Sequence, residues 1–303
     1  MQVLLSGRLT AAERGNWLGE LRRAAPWCTW WSDDDGDSPR EAIAAAVVAN
    51  PAPGALAGMS QLRLVQSLWA GVEKLLADAT LPADVPLARM VDPAMSAAMA
   101  ETALWAVLGV HRRFFDYAAQ QAQAEWQPHA QRRSDEIGVL VLGAGHMGRA
   151  VGSRLAAQGY RVGHWRAHGS DATPLAERLA RTEIVVNLLP LTAATRGLLD
   201  ARFFAAMPRG ARIVNLARGA HVVDEDLLAA LDSGHLHRAV LDVFHEEPLP
   251  PEHRYWRHPQ VTVLPHVAAL TDACSAAGIV AENLRALREG SPLAHVVERS
   301  RGY

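Results

Sequence analysis

The run Val139-Leu140-Val141-Leu142-Gly143-Ala144-Gly145-His146-Met147-Gly148 constrains this chain more than any other stretch. Four successive apolar residues suit a strand buried on both faces. Gly143, Gly145 and Gly148 then fall in the G-x-G-x-x-G spacing, and Arg149 to Gln158 can continue as a helix with Ala150, Val151, Leu155 and Ala156 as its apolar positions. A strand, a tight glycine turn and a helix start make a site for a pyrophosphate. Gly143 allows the turn, Gly145 lets the backbone approach phosphates, and Gly148 lets the helix pack close to the strand. A glycine triplet alone fits an ordinary close-packed turn equally well. Flanked by both a strand and a helix, it points to nucleotide binding, with Ala144, His146 and Met147 as the turn's walls.

The rest of the chain alternates in the same way. Strands are expected at Arg161 to Trp165, Ile184 to Leu189, Arg212 to Leu216, Ala239 to Val243 and Val261 to Leu264. Helices fit between them at Pro174 to Leu179, Ala201 to Ala206 and Asp224 to Ser233. Strand and helix in turn predict a parallel, doubly wound α/β sheet. Upstream, Val3 to Leu5, Trp27 to Trp31, Ala44 to Val48 and Leu62 to Leu68 read as strands, and Ala11 to Ala24 as a helix. Ala94 to Tyr117 reads as one long helix, followed by a linker from Trp126 to Asp135, and Ala273 to Glu289 as a last helix. With 303 residues, two domains are expected: 1–97 with 273–303, and 98–272.

Composition removes several function classes. The formal net charge is −2 and there is no polybasic run, so neither nucleic acid nor an anionic membrane is an expected partner. Cys28 and Cys274 make neither a disulfide framework nor a metal site, and no metal is expected. The start at Met1 to Gly7 lacks the pattern of a secretory signal, and the apolar stretch Ala42 to Met59 is interrupted by Asn50, Pro51 and Pro53. The expectation is a cytoplasmic protein.

A dinucleotide site usually places an acid about 20 residues past the first glycine to hold the ribose 2′-hydroxyl of NAD. Here that position reads Gly163-His164-Trp165-Arg166, with His168 just beyond, and no Asp or Glu. A guanidinium at Arg166 suits a 2′-phosphate, so NADP(H) is favoured and NAD(H) is the alternative. A surface arginine touching nothing is the bland explanation of Arg166; the missing acid speaks against it.

Three further segments follow successive strands: Asn215-Leu216-Ala217-Arg218-Gly219, Asp242 through Glu247-Pro248, and Pro265-His266-Val267. Ligands of open α/β sheets bind beyond the C-terminal ends of the strands. Arg218, Glu247 and His266 therefore make a candidate catalytic set for 2-keto acid reduction. A histidine supplies the proton to the new hydroxyl, a carboxylate orients and charges the histidine, and an arginine binds the acid group and polarises the keto oxygen. Singly, each is a helix-flanking charge, a solvated glutamate or a core histidine; their joint placement argues otherwise.

These motifs together resemble the D-2-hydroxyacid dehydrogenase family, and within it the glyoxylate/hydroxypyruvate reductase A type. Gly143 to Gly148, Asn187-Leu188-Leu189-Pro190, Asn215 to Gly219, Asp242-Val243-Phe244, Glu247-Pro248-Leu249-Pro250, Pro265 to Ala269 and the ending Arg301-Gly302-Tyr303 carry the resemblance. It implies a two-lobed fold, with a Rossmann-type cofactor domain inserted in a smaller flavodoxin-like substrate domain. It implies Arg218 as the substrate arginine, Glu247 as the acid partner and His266 as the proton donor. Asp242 would contact the nicotinamide carboxamide, and Leu189, Pro190, Thr195 and Ala217 would line the cofactor. The amides of Ala70 and Gly71 would hold the substrate carboxylate beside Trp69, which as readily is a core tryptophan. A homodimer through the helix at Ala98 to Tyr117 is implied as well. The activity expected is NADPH-dependent reduction of glyoxylate or hydroxypyruvate. A non-catalytic dinucleotide sensor, or a dehydrogenase for another 2-hydroxy acid, are the rivals; a methyltransferase would leave the three later segments unexplained.

Overall fold

The computed structural model describes residues 1–167 and 173–302, so His168 lies outside the described residues. The chain divides into two compact units, Met1–Met95 with Thr271–Tyr303, and Ser96–Leu270.

The first unit opens with β1 (Gln2–Gly7), α1 (Ala11–Ala24), β2 (Thr29–Ser32), β3 (Ile43–Ala49), β4 (Leu64–Ser67), the single turn α2 (Glu73–Leu76) and β5 (Leu87–Ala88). Its sheet is parallel in the order β2-β1-β3-β4-β5. Ile43 through Ala49 is apolar throughout because this central strand is covered on both faces. The two-residue β5 leaves too little pattern to be read from sequence and was not expected.

Within the second unit, the expected single helix from Ala94 to Tyr117 is two helices, α3 (Pro93–His111) and α4 (Phe114–Ala122). Arg113 breaks them with φ 61°. The cause is packing: the Phe115 ring folds back onto Gly109, where an added Cβ would lie 2.4 Å from it, and stands edge-on to Trp105. Asp116 completes the corner by accepting from Arg113 and from Arg238 and His237 on the sheet. By length and composition α3 could cross a membrane, but Ala103, Ala106 and Val107 are fully buried against Val139 and Val141, so it is a core helix.

The six-stranded sheet follows: β6 (Gly138–Leu142), α5 (His146–Ala157), β7 (Arg161–Trp165), α6 (Leu175–Leu179), β8 (Ile184–Asn187), α7 (Ala201–Ala205), β9 (Ala211–Asn215), α8 (Asp224–Asp232), β10 (Leu236–Leu241) and β11 (Val261–Val263). All pairs are parallel and the order is β11-β10-β9-β8-β6-β7. Side chains alternate between two cores. Val139, Val141, Val186 and Val214 face one, and Leu140, Leu142, Val185 and Ile213 the other. Each such buried side chain contributes about 1.5–3 kcal/mol, which is why these strands read as unbroken apolar runs. The strand order reverses at β6, so the C-terminal ends of β6 and β8 form the crevice where such sheets take ligands. Finally α9 (Ala273–Glu289) returns the chain to the first unit, where buried Asn283 donates to Gln66. The fold is the expected doubly wound α/β architecture.

Candidate active site

The glycine turn does what its spacing implies. Gly143 has φ 109°, and a Cβ on it would meet the Leu188 carbonyl oxygen at 2.9 Å. A Cβ on Gly148 would lie 2.2 Å from the Gly143 oxygen, so helix and turn touch backbone to backbone. Around Gly145 there is open space, the room a pyrophosphate needs. The first turn of α5, from His146 through Met147 and Gly148, carries no acid and no side-chain cap, leaving its amides and the positive helix end facing that space. Ala144 turns its carbonyl away, to Arg149. This cradle fits a dinucleotide.

The second strand ends beside it. The Gly143 amide donates to the Trp165 carbonyl at 2.7 Å, which brings the exposed Arg166 next to the turn. His164 instead packs on α5 with Nε2 3.1 Å from the Gly148 oxygen, a structural role.

Asn187 and Asn215, at the ends of β8 and β9, are fully buried and organise the adjoining loops. Asn187 Oδ1 accepts from the Leu189 amide, and its Nδ2 donates to Asn215 Oδ1 at 3.0 Å and to His221 Nδ1 at 2.9 Å. With Nδ1 an acceptor, His221 carries its proton on Nε2 and donates to the Pro190 carbonyl. Asn215 holds the other loop, accepting from the Ala217 amide and donating to the Arg218 carbonyl. One buried network thus fixes Leu189 and Pro190 on one side and Ala217 and Arg218 on the other. The sequence marked both asparagines only as part of their motifs; His221 gave no signal, because a lone histidine between apolar residues carries none. Thr195 is 1% exposed, and its hydroxyl donates to the Pro190 carbonyl, so it shapes this loop from behind.

Two of the catalytic candidates, Glu247 and His266, meet beyond β10 and β11. His266 Nδ1 lies 2.7 Å from Glu247 Oε2, and Glu247 Oε1 accepts from the Phe244 amide. Glu247, not Glu246, is the histidine's partner. Burial pushes the Glu247 carboxyl up, but hydrogen bonds from His266 and Phe244 and the charges of His266 and Arg218 outweigh it, leaving its pKa below the ordinary value. Its stabilising contribution is therefore present above the unfolded carboxyl pKa and fades as pH falls through the lower folded one. Arg218 Nη1 donates to the Ala217 carbonyl at 2.6 Å, and its charge is the smallest of those influences on Glu247. Against Gly219 the approach is closest: a Cβ there would lie 2.0 Å from the Phe244 carbonyl carbon.

His266 is held in the left-handed region, φ 55°, by Asp242. The Asp242 carbonyl accepts from the His266 amide, and its carboxylate oxygens accept from Val267 at 2.8 Å and Ala268 at 3.0 Å. Burial raises the Asp242 pKa, partly offset by those two amides. Asp242 is only 1% exposed, so the geometry gives it the turn that carries His266. Asp242→Ala is expected to cost about 2–4 kcal/mol, because it strands two amides of this turn; a urea melt checks it.

Trp69, Ala70 and Gly71 belong to the first unit, between β4 and α2. Trp69 is half-buried, with its amide on Ser67 Oγ and its carbonyl accepting from Met90. Among the described residues, no hydrogen bond engages the amides of Ala70 and Gly71. No cluster of metal-ligating side chains occurs among the described residues.

Comparison with known proteins agrees with this geometry. Residues 104–268 match the model of the D-isomer specific 2-hydroxyacid dehydrogenase NAD binding domain. The glyoxylate/hydroxypyruvate reductase A of Serratia proteamaculans is 39% identical over 95% of this chain and 96% of its own length. Among solved structures, a D-isomer specific 2-hydroxyacid dehydrogenase from Xanthobacter autotrophicus, in complex with NADPH and MES, is 36% identical with a TM-score of 0.92, covering 99% of each chain. An NADPH-dependent glyoxylate/hydroxypyruvate reductase from Sinorhizobium meliloti, bound to NADP and sulfate, is 34% identical with a TM-score of 0.92, over 100% of this chain and 99% of the other. A match over more than half the chain, with relatives of this identity along nearly all of it, makes the protein a member of the D-isomer specific 2-hydroxyacid dehydrogenase family.

Proposed function

We propose that this protein reduces small 2-keto acids, glyoxylate to glycolate and hydroxypyruvate to D-glycerate, with NADPH. The observation that carries this reading is the His266–Glu247 pair at 2.7 Å. The relatives named for this activity, the NADP bound by one of them and the NADPH bound by the Xanthobacter dehydrogenase support it.

Gly143, Ala144, Gly145, His146, Met147 and Gly148 would hold the cofactor at its pyrophosphate, Arg166 at the 2′-phosphate, and Leu189, Pro190 and Ala217 farther along. When bound, it supplies the hydride. Arg218 pairs with the substrate carboxylate and polarises the keto oxygen. His266, protonated and oriented through Nδ1 by Glu247, delivers the Nε2 proton to that oxygen as it becomes a hydroxyl. Asp242 and Thr195 act from behind, as props of the His266 turn and the Pro190 loop. The open amides of Ala70 and Gly71 suit a carboxylate, with Trp69 limiting substrate size. Accordingly 1–97 with 273–303 serve as the substrate lobe and 98–272 as the cofactor lobe. The exposed Trp105, Phe114 and Trp126, on and after the α3–α4 corner, suit a homodimer. The cytoplasm is its place of action.

The test is loss of NADPH and NADH absorbance with glyoxylate, hydroxypyruvate and pyruvate. Turnover of the small keto acids supports the reading; cofactor binding without turnover of any favours a sensor. Arg166→Ser is expected to raise KM for NADPH by about 10–100-fold and leave KM for NADH unchanged, the worth of a charge-assisted phosphate contact. Equal effects on both cofactors would remove Arg166 from the 2′-phosphate.

A further inference from the structure

At the opposite end of the six-stranded sheet, a cavity of about 120 Å³ is lined by His111, Arg113, Arg132 and Arg212, with Ala130, Ile137 and Ile184 as apolar walls. Ile137, Ile184 and Arg212 stand at the N-terminal ends of β6, β8 and β9, whose C-terminal ends carry Gly143, Asn187 and Asn215. Three residues of strand, about 10 Å, separate Arg212 from Asn215.

Arg212 is the unusual member. Its Nε is buried without a partner, and among the described residues its side chain makes no hydrogen bond and no direct ion pair. Burial pulls its pKa below the ordinary guanidinium value; Glu183 and Asp116 oppose this, while Arg113 and Arg132 add to it. Both carboxylates are committed elsewhere. Glu183 is held by Arg132, and Asp116 is shared by Arg113, Arg238 and His237. Four guanidinium charges are thus met by two carboxylates. His111 is committed as well, through Tyr160 and the Arg132 carbonyl. A guanidinium carries five donors, and a buried charge ordinarily has a counter-charge. The missing acceptors have to come from outside the protein.

We propose that this cavity binds a phosphate-type oxyanion, free or as the head of a small phosphomonoester, between Arg212, Arg132 and Arg113. The space corresponds to about four waters, enough for one tetrahedral anion. Arg132, on its lining, has a half-exposed side chain, so an ester group on that side can reach solvent. The site is separate from the glycine cradle, and does not depend on the proposed reduction.

The experiment titrates inorganic phosphate, at constant ionic strength made up with chloride and with saturating NADPH, and follows Tm and calorimetric heat. A Tm rise with phosphate but not chloride is expected. Arg212→Met should bind phosphate at least about tenfold more weakly, abolish the rise, and leave reduction kinetics unchanged. Arg132→Gln, at the half-exposed side chain, is the second variant should Arg212→Met not fold, and is expected to weaken phosphate in the same direction. Glycerol phosphate run in parallel separates the sources: a larger shift than phosphate assigns an ester, an equal or smaller one the free anion. No phosphate effect in the unaltered protein, or an undiminished one in both variants, overturns the site.

Discussion

His266→Gln is expected to lower kcat by about 10²–10⁴-fold, the contribution of a positioned acid–base group, while leaving the Kd for NADPH unchanged. Glutamine keeps the polar bulk on the turn and can still reach Glu247, but it has no proton to give at the carbonyl. The turn itself survives, since it is built from Asp242 and the amides of Val267 and Ala268. Stopped-flow reduction of glyoxylate, beside fluorescence titration of NADPH, separates the two effects. Full turnover in this variant would take His266 out of the chemistry. Glu247→Gln is the companion variant: it removes the negative charge and one of the two acceptors that serve His266 Nδ1 and the Phe244 amide, so it is expected to lower kcat while leaving the Kd for NADPH unchanged.

Arg218→Lys is expected to lower kcat/KM by about 10²–10³-fold, the usual worth of a donor aimed at developing oxyanion charge, with both kcat and KM changed. Lysine preserves the charge that Glu247 feels but loses the planar fork that, in the proposed role, would engage a carboxylate and a keto oxygen together. A change in KM alone would limit Arg218 to binding the carboxylate. The backbone here is insulated from the substitution, because Asn215 grips the Arg218 carbonyl and the Ala217 amide independently of the side chain.

Much of this arrangement is legible in the amino-acid order, and the reasons are physical. Parallel strands covered on both faces are apolar at most positions, so Val139 to Leu142, Ile184 to Val186 and Ile213 to Val214 stand out as runs. The glycines stand out because their side-chain hydrogens occupy places where a Cβ would strike Leu188 or Gly143. Arg218, Glu247 and His266 are recognisable as candidates because they follow β9, β10 and β11 in turn. What escapes is whatever depends on contacts between distant segments. Phe115 turning back on Gly109 splits a helix whose apolar periodicity continues unbroken. Asn187, Asn215 and His221, separated by up to 34 residues, become one network only when β8 and β9 pair. Arg212 looks like any other arginine until its strand buries the Nε without a hydrogen-bond partner.

The contact of Gly219 with Phe244 bears on how such a site can be altered. No room exists there even for a methyl group, so the loop bearing Arg218 and the loop bearing Glu247 are keyed to each other, and neither can be lengthened or tilted alone. A laboratory library that varies one of these loops would yield mostly inactive clones, whatever substrate is selected for. Variation confined to the Trp69–Gly71 loop leaves that joint intact.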